Sequence, residues 1–135
     1  MALVEFVDDS APYLNAQNLN NNFNELDNKH NYSTTEKIIG KWIDNKPIYR
    51  KVFTGTINDS TTLLQNVDTL VNAYGTADMN YVTRTLNYYE IYNNLQYFVH
   101  VRLSSNNVNF ICTSAGQSYN PTNCKIILEY TKTTD

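Results

Sequence analysis

Apolar and polar positions alternate with period two through the second half of this chain. Tyr97, Val99, Val101 and Leu103 interleave with Phe98, His100 and Arg102, which predicts a half-buried strand. Val108, Phe110 and Cys112 continue the pattern beyond Ser104-Ser105-Asn106, and Cys124, Ile126, Leu128 and Tyr130 share one face of a last strand. Between them Ser114 to Asn123, with Gly116, Tyr119 and Pro121, predicts a loop. Tyr81 to Tyr92 is rich in β-formers and predicts one or two strands before a turn at Asn93-Asn94. Short strands at this spacing predict a mainly β protein built as an antiparallel β-sandwich.

Earlier in the chain, the apolar runs Ile38 to Ile43 and Pro47 to Phe53 flank Asp44-Asn45-Lys46, the pattern of a β-hairpin. Pro47 fits only a strand start or an edge, because it brings no N–H to the ladder. Trp42 shares a face with Ile38 across Gly40. The expectation is a core hairpin anchored on the indole, with Gly40 leaving room for it or for a second backbone. Leu63, Leu64, Val67, Leu70, Val71 and Tyr74 fall at helical spacing, with Asp59 or Ser60 as cap and Gly75 as stop. Val67, Thr69, Val71 and Ala73 fit period two equally well.

Residues 1–12 read as a short extended lead. Beyond it, Leu19, Phe23, Leu26 and His30 are spaced 4, 3 and 4, an a/d seam barely two heptads long. The segment is rich in Asn, a mediocre helix former, and a helix this short is marginal alone in water. It therefore needs a partner, either its own domain or copies of itself. His30 reads as a spacer in the seam rather than as a ligand.

The 135 residues suffice for one domain with a real core. A net charge of -3 and a pI near 5.2 argue against a nucleic-acid partner. Charged residues make up only 17%, so the polarity comes from Asn, Thr and Ser, and Tyr dominates the aromatics with 11 against 5 Phe and 1 Trp. That mixture fits a recognition surface, and it equally fits an AT-rich genome. No run is long and apolar enough for a membrane span, and Met1 to Asp9 carries no basic signal-peptide region. A cytoplasmic site of synthesis is expected.

No catalytic constellation, metal-ligand spacing or cofactor motif emerges, so the chain is expected to be neither an enzyme nor a cofactor protein. Cys112 and Cys124 fall on the apolar faces of consecutive strands, which would place them opposite each other about Ser118. A disulfide there needs Cβ atoms about 3.8 Å apart, closer than most cross-strand pairs allow, and a cytoplasm disfavours it. Two buried free thiols are expected.

Three stretches carry a resemblance. Ser33 to Tyr49, with Gly40-Lys-Trp42-Ile-Asp44-Asn45-Lys46-Pro47-Ile-Tyr49, resembles a Gly-x-Trp-x-Asp-Gly-Lys-Pro-x-Tyr segment of bacteriophage fibre and receptor-binding proteins, with Asn45 in place of the turn Gly. Pro12-x-Leu14-Asn15-Ala16-x-Asn18-Leu19-Asn20 is similar to their N-terminal anchor, and the ending Ile127-Leu-Glu-Tyr-Thr-Lys-Thr-Thr-Asp135 is similar to that of their head domains. The resemblance implies a virion-attachment segment and short helix over 1–31, and a β-sandwich head, jelly-roll-like, over 32–135. It places a strand rather than a helix at about Asp68 to Tyr74. It further implies a homotrimer joined through Leu19, Phe23, Leu26 and His30, bound to capsid or tail proteins, located in the virion and touching host-surface carbohydrate, with no membrane or nucleic acid involved. Tyr92, Asn93, Asn94 and Tyr119 lie in or beside predicted loops and are the candidate ligand contacts. Anchor and head are joined almost directly, so a connector or capsid decoration protein with no ligand of its own is the alternative.

Overall fold

The computed structural model describes residues 16–135, with side chains from Leu19 onward. The extended lead and most of the anchor phrase lie outside the described residues. The elements are α1 (Ala16–His30), β1 (Lys37–Lys41), β2 (Pro47–Gly55), β3 (Thr61–Leu64), β4 (Val67–Met79), β5 (Val82–Thr85), β6 (Tyr88–Tyr92), β7 (Leu95–Ser104), β8 (Asn107–Ser114), β9 (Gln117–Ser118) and β10 (Thr122–Lys132). The chain is mainly β, with one short helix and antiparallel sheets.

One sheet has the order β1-β2-β10-β4-β5; the other has the order β3-β8-β7-β6, with β9 paired to β8. Their inner faces share a core. Cys124, Ile126, Leu128 and Tyr130 come from β10, Val108, Phe110 and Cys112 from β8, Val99 from β7, and Val67, Ala77 and Met79 from β4. The period-two pattern put these positions on single faces because burial on one side of a strand demands it.

The paucity of glycine is made good by asparagine. Among the described residues, eight of the twelve non-glycine positions with positive φ are Asn. Asn tolerates the left-handed region because its short amide can bond locally. Asn93-Asn94 and Ser105-Asn106 have two successive positive φ values, the requirement of the two-residue turns that join twisted strands. Much of the Asn content therefore serves hairpin geometry.

The first hairpin forms where expected, with Asn45 at φ 70 and Asp44 Oδ1 accepting the Lys46 N–H at 3.0 Å. Pro47 opens β2, as its missing N–H requires. The Trp42 expectation is corrected. A bulge between Ile38 and Gly40 shifts the register, so Ile39 is buried, Ile38 is exposed and Trp42 is only half-buried, outside the core cluster. Gly40 leaves room for neither the indole nor a second strand: the Lys29 side chain of α1 passes over it, 3.7 Å from where a Cβ would sit.

The Leu63 to Tyr74 stretch is strand, divided between β3 and β4 and longer than Asp68 to Tyr74. The supposed helix stop, Gly75, is a point of close strand approach beside Ile126 of β10. The expected loop at Ser114 to Asn123 contains β9 and the start of β10. Asp59 ties this region together: Oδ1 accepts the Cys112 N–H at 2.8 Å, Oδ2 accepts the Ser118 hydroxyl at 2.6 Å, and its own N–H donates to Asn120 Oδ1 at 2.9 Å.

Cys112 and Cys124 are free and buried, but they do not lie on paired strands. β8 pairs with β3, β7 and β9, and β10 with β2 and β4, so the two thiols come from opposite sheets. Burial first, and the Asp59 carboxylate second, push the Cys112 thiol up to about 12; burial raises Cys124 as well. A raised pKa leaves less thiolate at any given pH, so neither should react with a thiol reagent at pH 8 in the native protein. Both should react once denaturant is added. Stoichiometric labelling of either thiol in the native state would contradict this packing.

Candidate functional site

Two features stand out, one on the helix and one at the far edge of the sheets. At about 100° per residue, Leu19, Phe23, Leu26 and His30 gather on one side of α1. Asn21, Asn24, Glu25 and Asn28 gather roughly 180° away, and these polar residues, with Glu36, Lys37 and Ile38, line the groove between α1 and β1. Asn28 Nδ2 donates to the Ile38 carbonyl at 2.9 Å across it. The helix thus turns its polar side to its own domain. Leu26 stays 42% exposed, His30 is exposed, and Leu19 and Phe23 are half-buried.

The helix is held in that orientation from its C-terminal end. Arg50 of β2 is buried, with Nη1 donating to the Lys29 carbonyl at 2.9 Å, a position where a cation also meets the negative end of the helix dipole. Its Nε and Nη2 both reach Glu129 Oε2 of β10 at 2.8 Å, and its guanidinium lies 4.3 Å over the Tyr32 ring. The Tyr74 hydroxyl donates to the same Glu129 oxygen or to Tyr32 Oη, each at 3.2 Å, and burial raises its pKa. A second tie involves Glu36, which accepts from the Tyr130 hydroxyl and from Lys132 Nζ. These contacts join the link after α1 to β2, β4 and β10.

The other feature lies between edge strands β5 and β6, at the edge of the larger sheet opposite β1 and about 20 Å from it across four strand intervals. Here the inner face of β6 runs past the core, and a recess of about 300 Å³ opens, lined by Met79, Asn80, Arg84, Glu90, Tyr92 and Tyr97 among others. The Arg84 guanidinium lies 4.4 Å over the Tyr88 ring, and its Nε is buried without an acceptor. The Tyr88 hydroxyl donates to Glu90 Oε2, which raises the Tyr88 pKa. Tyr92 is 62% exposed. Tyr81, in the turn between two lining residues, is fully exposed at φ 65, a strained setting for an aromatic residue.

Of the four expected ligand contacts, Tyr92 lines this recess and Asn93-Asn94 form the adjacent hairpin turn. Tyr119 is placed differently: half-buried, packed on the core, with its hydroxyl accepting the Asn80 N–H at 3.1 Å. It braces the turn beside the recess. Arg84, Glu90 and Tyr97 were not foreseen. The alternation of Tyr88, Glu90 and Tyr92 was a usable signal, since it sets all three on one face of β6.

Among the described residues, no group of three His, Cys, Asp or Glu converges as metal ligands would, and no helix is long and apolar enough to cross a membrane. No protein family, curated protein or solved structure matches the chain.

Proposed function

We propose that this chain is a bacteriophage virion structural protein, a short homotrimeric fibre or spike. Residues 1–31 would attach it to capsid or tail proteins, and a jelly-roll-like β-sandwich head would contact host-surface carbohydrate. The observation that carries this reading is the orientation of α1. A helix needing only its own domain would bury Leu19, Phe23 and Leu26 against β1; this one presents Asn and Glu to β1, leaving Leu26 exposed and Leu19 and Phe23 only half-buried. Three copies meeting along that seam would give each helix the apolar partner its composition lacks. The phage-like wording of the hairpin, anchor phrase and ending supports a virion setting.

In this reading the recess and the two turns beside it lie at the sheet edge away from the helix, where they are free to meet a surface. Neither a catalytic step nor a cofactor is required. The test is the native mass of the full-length protein by light scattering at micromolar concentration. Three times 15.5 kDa is expected; a monomer would overturn the trimeric fibre.

A further inference from the structure

We infer that the recess between β5 and β6 is a subsite for one uncharged sugar residue, with Arg84 and Glu90 as its polar contacts and Tyr92 and Tyr97 as its walls. The inference rests on the proposed contact with host carbohydrate, and it names the class of sugar.

The recess holds one guanidinium and one carboxylate, Arg84 from the edge of one sheet and Glu90 from the edge of the other. Their charges cancel, so the site has no net attraction for an acid or a base. An anionic sugar would meet Glu90, and a cationic one would meet Arg84. A ring bearing adjacent hydroxyls meets both well, because a planar donor fork and a planar acceptor can each engage two neighbouring OH groups.

Donor supply points the same way. Arg84 is half-buried and stacked on Tyr88, and its Nε, out of reach of water, has no acceptor. Leaving such a donor unmet is costly, and a turn of the half-buried guanidinium toward a ligand oxygen would relieve that cost. Glu90 takes the Tyr88 hydroxyl on Oε2, so the carboxylate is oriented before any ligand arrives.

Shape completes the case. Glu90 and Tyr97 are paired across β6 and β7, so a carboxylate and an aromatic ring stand side by side on one face. A sugar ring has polar edges and an apolar C–H face, and an aromatic wall beside a polar group matches both at once. The volume of about 300 Å³ stands at the lower end of small-molecule sites, enough for one ring and not for a long chain. A longer glycan would place its terminal residue here and run out past Tyr92 and the Asn93-Asn94 turn.

The experiment is a chemical-shift titration of the isotope-labelled full-length protein. The neutral probes are methyl glucoside, methyl galactoside and N-acetylglucosamine; the acidic ones are glucuronic acid and N-acetylneuraminic acid. The expected result is that a neutral sugar shifts the Arg84 side-chain N–H and the amides of residues 79–84 and 88–97. Acidic sugars should leave them in place. Arg84→Gln, Glu90→Gln and the exposed Tyr92→Ala should each weaken that binding at least tenfold with native mass unchanged, and Tyr92→Ala keeps the test open if the other two fold poorly. Shifts with acidic sugars alone, shifts confined to another surface, or none with any probe would each overturn the assignment. Shifts elsewhere would leave carbohydrate contact standing. No shifts on a trimeric protein would remove that contact and leave the connector role. A monomeric mass is a separate failure, of the fibre reading, and does not bear on the recess.

Discussion

Gly75→Ala is expected to lower the unfolding free energy by about 4 kcal/mol or more, enough to unfold most marginally stable domains. The backbone at Gly75 has φ +136, and an added Cβ would fall 1.9 Å from the Lys125 carbonyl oxygen and 3.0 Å from Ile126 Cα. All the nearest atoms are main chain of β10, which lies between β2 and β4 at the centre of the larger sheet. Relief requires parting β4 from β10, and with it the ladder that buries Ile126 and Leu128. Two internal controls separate conformational strain from collision. Gly55 and Gly116 also have positive φ, +91 and +76, but nothing lies within 4 Å of their added Cβ. Alanine at either should cost about 1–2 kcal/mol. Urea unfolding of the three variants decides the matter; a Gly75→Ala cost as small as that of Gly116→Ala would contradict the close approach of the strands.

Arg50→Ala should cost about 3–5 kcal/mol and release the helix from the head. The Arg50–Glu129 pair is nearly buried, with side-chain exposures of 10% and 12%, so removing one member leaves the other charge uncompensated. The surface pair Lys46–Asp68, at 2.9 Å but more exposed, should matter far less, because solvent screens it. Arg50 differs from an ordinary buried pair because it also donates to the Lys29 carbonyl and covers the Tyr32 ring. Arg50→Lys keeps the charge but cannot supply the fork, and should recover only part of the loss. Amide hydrogen exchange distinguishes the two effects: in Arg50→Lys, α1 should lose protection well before β10 does. Equal loss in both would mean that the contact serves the sheet alone.

Much of the fold could be read from the chain because burial of one strand face writes itself into period two. β7, β8 and β10 were legible for that reason, and the Asn45 turn because few residues tolerate its backbone. The place of Trp42 is not legible, because a bulge resets the face of every residue beyond it and alternation carries no mark of a bulge. Adjacency in sequence suggests that the cysteine strands pair, but β10 crosses to the other sheet. Helical spacing from Leu63 to Tyr74 competed with alternation, and the strand prevailed where Gly75 lets β10 come close.

The recess was only partly legible. Tyr92 and the Asn turn beside it could be found as loop neighbours. Arg84, Glu90 and Tyr97 belong to three strands in two sheets and meet only in the fold. The abundance of Asn, which composition left open between recognition and codon bias, has a third cause in the turns.

We propose that the outward side of α1 is a meeting surface for copies of the chain. The native mass of two full-length variants at equal concentration tests it face by face. Leu26→Asp places a charge in the seam, and Asn21→Asp places the same charge on the side turned toward β1. The account predicts that Leu26→Asp falls from trimer to monomer with its β-sheet signal intact, while Asn21→Asp keeps the trimeric mass. Dissociation by Asn21→Asp with Leu26→Asp still trimeric would contradict it.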